Sequence, residues 1–109
     1  MNIKYKTKKI KKQCEDPKIA QKDYGAKIGN KLTQRVRELS AATSLLDISY
    51  LPSARLHRLE GSRADEYAAD LVHPFRLIFK PILEVGGDIG KLDSINVIRI
   101  EEVIDYHGK

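Results

Sequence analysis

The hydrophobic period changes once along this chain, near Pro52, and that change decides the fold class. Before it, Ile28, Leu32, Val36 and Leu39 recur at spacings of four, four and three, the repeat that gathers side chains on one helical face. Lys27, Lys31, Gln34, Arg37 and Glu38 cover much of the remaining helix surface. After it, Phe75, Leu77 and Phe79 alternate with Arg76 and Lys80, the period of a strand with one buried face. Helices first and strands later predict an α+β domain, with a helical hairpin packed on one face of a sheet.

Local signals place the elements. Asp16-Pro17 reads as a helix start, because Asp caps a helix and Pro is accepted in its first turn. A short helix then runs to about Tyr24, Gly25 breaks it, and a longer helix covers roughly residues 26–42. Gly29 weakens that second helix slightly. Residues 44–50 add one more turn, docked by Leu45, Leu46 and Ile48. Strands are predicted over 55–60, over 66–72 with Tyr67, Ala69 and Leu71 on one face, over 75–80, and over 94–105. Residues 81–93 contain Gly86-Gly87 and Gly90 and read as a long loop or loose hairpin. The short connections between the middle strands imply antiparallel pairing. The 109 residues fit a single domain spanning the whole chain.

Charge is unevenly spread. The net charge is +5, yet Lys4, Lys6, Lys8, Lys9, Lys11 and Lys12 fall in the first twelve residues without an acid among them, and the rest of the chain sums to −1. Residues 1–12 read as a basic arm, either an edge strand protected by lysines or a frayed tail. As an arm they suit a polyanion partner; as a tail they only keep the protein in solution. Cys14 is the single cysteine, which rules out an intrachain disulfide and a cysteine metal site and suits a reducing compartment. It sits in a basic stretch expected to be exposed. With no apolar leader and no membrane-length apolar run, the cytoplasm is the expected location and no membrane partner is expected.

No phosphate-loop, dinucleotide or zinc-protease motif is present. His57 falls within a strand, His73 precedes Pro74 in a turn, and His107 follows Asp105-Tyr106 at the end of the last strand. Singly, each histidine is more often structural than catalytic, and no pair has metal-ligand spacing. The Asp105-Tyr106-His107 cluster stands out because it is a polar trio at a sheet rim. On an extended backbone Asp105 and His107 share one face and Tyr106 takes the other.

The segment LPSARLHRLEGSRADEYAADLVHPFRLIFKP, followed by INVIRIEEVIDYHGK, resembles the plasmid-maintenance killer proteins of the HigB branch of the RelE/ParE toxin superfamily. The shared pattern comprises Leu56 to Gly61, Arg63 and Tyr67, Phe75 to Phe79, and Ile100 to His107. It covers about half of the chain, residues 51–80 and 94–108, while the helical half matches only in architecture. The resemblance implies a microbial RNase fold, in which helices pack on a curved antiparallel sheet whose concave face binds RNA. It also implies cleavage of mRNA on the ribosome with no metal or other cofactor, and a cognate helix-turn-helix antitoxin as partner. By the same carry-over, His57, Arg76, Asp105, Tyr106 and His107 form the active site. Lys4, Lys6, Lys8, Lys9, Lys11, Lys12, Arg58, Arg63 and Lys80 are the expected RNA contacts. One departure is Glu60, where some members carry Lys; Arg58 or Lys80 is then left to supply the charge.

Metal-free RNA cleavage needs a base for the ribose 2′-OH, an acid for the leaving 5′-oxygen and cations for the charged transition state. Imidazole suits the first two tasks and guanidinium the third. This assigns acid–base work to His57 and His107 and the scissile phosphate to Arg76. Asp105 orients a histidine or takes the proton itself, and Tyr106 stacks on a base or helps to position the 2′-OH. Two other functions fit the same fold: a non-enzymatic toxin acting on DNA gyrase, as in ParE-like members, and a binding module that has lost activity, which Glu60 favours.

Overall fold

The computed structural model describes residues 1–106; His107, Gly108 and Lys109 lie outside the described residues. The chain opens with strand β1 (Asn2–Tyr5) and continues through helices α1 (Lys8–Glu15), α2 (Pro17–Ala41) and α3 (Leu45–Ser49). Four strands follow: β2 (His57–Arg58), β3 (Tyr67–Asp70), β4 (Phe75–Pro81) and β5 (Val97–Asp105). The sheet runs β1-β5-β4-β3-β2. The predicted α+β class and the antiparallel pairing of β2 to β5 hold. The sheet as a whole is mixed rather than antiparallel, because β1 lies parallel to β5, with Ile3 opposite Ile98 and Tyr5 opposite Ile100. That pairing joins the two ends of the chain across the whole helical part, so no turn signal announces it.

Of residues 1–12, Asn2–Tyr5 form the expected edge strand, and helix α1 corrects the picture from Lys8 onward, where a strand or tail was expected. The Thr7 hydroxyl caps it by accepting from the Ile10 N–H at 3.1 Å, and Ile10, Gln13 and Cys14 are buried while Lys8, Lys9, Lys11 and Lys12 stay exposed. Cys14, expected on the surface, packs in the core. Burial, aided by the neighbouring Glu15 charge, pushes its thiol up to about 12. Asp16 then serves both helices. Its N–H donates to the Lys12 carbonyl at 3.0 Å, and its carboxylate accepts from the Lys18 N–H at 2.9 Å, the expected cap of α2.

Gly25 splits α2 as its sequence position predicts, taking φ 84° and ψ 164° inside the helix. The two arms then fold against each other. A Cβ on Gly29 would stand 2.8 Å from backbone atoms of Ala20 and Gln21, so the residue that weakens the helix by propensity is the one that lets its arms touch. Ile28, half-buried, and Leu32, Val36 and Leu39, buried, share the face the spacing predicts.

That face, with Ile10, Cys14 and Leu45, meets Tyr67, Ala69, Leu71, Leu77, Phe79, Ile98 and Ile100 from the sheet. Leu32, Leu77, Phe79, Ile98 and Ile100 are completely buried, each stabilising the fold by about 1.5–3 kcal/mol relative to an exposed side chain. The Tyr67 and Phe79 rings stack at 6.4 Å between centroids. Among the described residues no helix is long and apolar enough to cross a membrane.

The strands are shorter at their entrances than the residue pattern predicts. Arg55 adopts a left-handed backbone, φ 42° and ψ 53°, which stops β2 from starting before His57. A 3₁₀ turn at Leu92–Ser94 delays β5 to Val97. At the other end of β4, Pro81 extends the strand by one residue beyond Lys80.

Candidate active site

Strand alternation sorts the sheet's side chains between two faces. One face, with Tyr67, Ala69, Leu77, Phe79 and Ile100, belongs to the helix-covered core. The opposite face is built from three cross-strand rows. His57, Ala68, Ile78 and Glu102 form one; Asp70, Arg76 and Ile104 form the second; Lys80, Arg99 and Lys4 form the third. A bulge makes room on this face. Ile78 pairs with Glu102 and Phe79 with Ile100, leaving Glu101 as the extra residue, the irregularity that commonly re-aims side chains near functional sites.

Asp70 is the centre of the second row. Its carboxylate accepts from Arg55 Nε at 2.7 Å and Nη2 at 3.2 Å, and lies 3.4 Å from Arg76 Nε. Its backbone carbonyl accepts from Arg35 Nε at 2.7 Å. Arg35 is 2 % exposed and also donates to the Ser53 carbonyl at 2.7 Å and to Glu38 at 2.9 Å. Three guanidinium groups thus converge on one aspartate. The hydrogen bonds to Asp70 hold the Arg55 guanidinium above its ordinary value.

Arg76 has a second neighbour: its guanidinium carbon sits 4.3 Å from the centroid of the Tyr106 ring, a cation–π distance. Tyr106 is held there by its N–H, which donates to the Pro74 carbonyl at 3.1 Å. His57 stands on the same face, two strands away. From strand spacing and residue rise, its Cα lies about 12 Å from that of Arg76. The His57 Nδ1 is 2.8 Å from the Arg55 carbonyl. A carbonyl can only accept, so Nδ1 carries the proton in the neutral ring and Nε2 is the basic nitrogen.

The structure therefore brings His57, Arg76 and Tyr106 to one face. Asp105 pairs with Phe75, and alternation turns it to the other face from Tyr106 at the end of β5. His107 lies outside the described residues. Among the expected RNA contacts, Lys4 is exposed on the open face and Lys80 is there too, 3.1 Å from Asp65. That ammonium holds the Asp65 carboxyl below its ordinary value. Arg63 bridges Glu66 and, at 2.8 Å, Glu102. Arg58 pairs with Tyr67 and so takes the face opposite His57, its Nε donating to the Ala64 carbonyl at 2.6 Å. Of the two residues expected to offset Glu60, Lys80 alone shares the face of Arg76. Lys6 lies 4.0 Å from Glu101, and Lys8, Lys9, Lys11 and Lys12 ride on α1, in the helical layer.

Arg55 and Asp70 escaped the sequence reading. Asp70 had a signal: with Tyr67, Ala69 and Leu71 inward, it must point outward on the strand that precedes Arg76. A left-handed arginine carries no such signal. A groove of about 580 Å³ lies elsewhere, between α1, the first arm of α2 and the edge of β5, lined among others by Lys9, Gln13, Lys22, Asp23 and Glu101. Among the described residues it holds neither His57, His73 nor Arg76, and a polymer needs an open face rather than a cavity. A comparison with known protein families finds no match to this chain, and a comparison with curated proteins finds none.

Proposed function

We propose that this chain is an RNA-cleaving toxin of the HigB/RelE kind, cutting mRNA on the ribosome without a metal and restrained by a cognate antitoxin. The observation that carries this reading is the shared placement of His57, Arg76 and Tyr106 on the sheet face the helices leave open. These are three of the five residues that the toxin-like sequence pattern singles out, contributed by β2, by β4 and by the residue after β5.

The chemistry follows from the groups. His57 Nε2 accepts the proton of the ribose 2′-OH as the 2′-oxygen attacks phosphorus. The P–O5′ bond breaks, and the 5′-oxygen takes a proton from an acid, the role reserved for His107. The products are a 2′,3′-cyclic phosphate and a 5′-hydroxyl. Arg76 neutralises the charge that builds on the phosphoryl oxygens, and Tyr106 offers its ring to a base. The lysines of α1 favour binding to ribosomal RNA through counterion release.

The test is cleavage of mRNA in a translating extract. His57→Ala lowers the rate by about 10²–10⁴-fold while unfolding free energy stays within about 1 kcal/mol of the parent. The parent also keeps its activity in EDTA. A His57→Ala protein that cuts at the parent rate removes the nuclease assignment.

A second reading, a binding module without activity, is favoured by one observation. Arg63, Arg76, Lys80 and Arg99 each face a carboxylate of the same chain within 3.4 Å. Under that reading, the chain expressed without a partner leaves growth unchanged.

A further inference from the structure

We propose that Asp70 is a positioning residue that stands in for a phosphate: it holds Arg55 and Arg76 while the face is empty, and surrenders Arg76 to a phosphodiester when RNA binds. The inference rests on the phosphate-binding part of the reading above and adds the residue that regulates it.

The two arginines are held unequally. Arg55 grips the carboxylate through two nitrogens, at 2.7 and 3.2 Å. Arg76 comes nearest to it with Nε at 3.4 Å, a separation too long for a good hydrogen bond. A guanidinium pairs best with a carboxylate or a phosphate as a two-pronged fork. Arg55 already makes that fork and Arg76 does not. Arg76 therefore loses least by turning to a phosphate, and Asp70 keeps a full partner when it does. The Asp70 backbone is fixed from behind: Arg35 holds the Asp70 and Ser53 carbonyls at 2.7 Å each. The Tyr106 ring beside Arg76 gives the guanidinium a surface along which to turn without losing its cation–π contact.

An aspartate that occupies Arg76 for most of the time taxes affinity by the fraction of time the arginine is available. Binding is read by fluorescence anisotropy with a labelled 2′-O-methyl RNA dodecamer, which lacks the attacking hydroxyl. Asp70→Asn keeps the shape and removes the charge, and it should bind the dodecamer roughly tenfold more tightly. The gain should vanish in Asp70→Asn/Arg76→Gln. An unchanged or weaker affinity in Asp70→Asn, or a gain that persists without Arg76, overturns the proposal.

A measurement on the parent protein removes any dependence on how the variants fold. In a titration with the same RNA, followed through the arginine Nε–Hε resonances, Arg76 should move several times further than Arg55; any other pattern overturns the proposal. Tighter binding by Asp70→Asn with no RNA cleavage by the parent upholds the phosphate role and removes the nuclease. Cleavage by the parent with no affinity change in Asp70→Asn does the reverse.

Discussion

The two faces of the sheet are made from the same strands and obey opposite rules. Toward the helices, Leu77, Phe79, Ile98 and Ile100 are completely buried and share one apolar cluster with residues of α1, α2 and α3. Toward the open side, Ile78 is just as completely buried but lies outside that core cluster, flanked along β4 by Arg76 and Lys80 and paired with Glu102. One face is closed by shape and the other by long charged side chains whose stems lie over apolar surface. Identical exposure values therefore describe different mechanics: the first side chain is locked in place, and the second has a cover that can move.

Adjacent residues test that difference most strongly. Leu77→Ala leaves a hole the helices cannot fill and should cost about 3–5 kcal/mol in urea unfolding, whereas Ile78→Ala, whose cover can settle inward, should cost about 2 kcal/mol. Equal losses would mean that the open face is packed as rigidly as the core.

Alkali gives a smaller effect confined to the covered side. A thiol pushed up to about 12 in the fold stays protonated where the unfolded chain has already ionised. Its contribution is complete below about pH 8.5, the ordinary thiol value, and is lost as pH climbs toward 12. The parent should therefore lose about 2 kcal/mol more than Cys14→Ala between about pH 8 and pH 10.5. Parallel stability profiles for the two proteins would show Cys14 to be ionisable in the fold.

The smallest effect on stability is expected at the lysines of α1. Replacing Lys8, Lys9, Lys11 and Lys12 by Gln should change unfolding free energy by less than about 0.5 kcal/mol. If α1 touches RNA, the same change should flatten the dependence of log affinity on log salt by up to about 3 units. Deleting residues 1–12 is a poorer test, because it removes β1 and the buried Ile10 along with the charge. An unaltered salt slope in the Gln variant would restrict RNA binding to the sheet.

What could be read from the sequence divides along the same line. The Asp16 cap, the break at Gly25, the Leu32–Leu39 face and the inward Phe75, Leu77 and Phe79 all follow from local spacing, and the fold uses each of them. Helix α1 was hidden because four exposed lysines outweigh one short buried face, although Thr7 as a cap and the four-residue step from Ile10 to Cys14 carried the signal. The parallel pairing of β1 with β5 had no local signal. The open face was legible as a list of residues, among them His57 and Arg76, but not as an arrangement. Arg55 enters it through a backbone conformation that arginine rarely adopts, and Asp70 gains its importance from side chains 35 and 15 positions earlier in the chain.

Arg35 couples the two layers like the tooth of a gear. It grows from α2, passes through the interior, and ends on the carbonyls of Ser53 and Asp70. Sliding α2 along its axis must either drag those two carbonyls with it or strip a buried guanidinium of its acceptors, which is costly in so dry a place. The helices and the far side of the sheet therefore travel as one body.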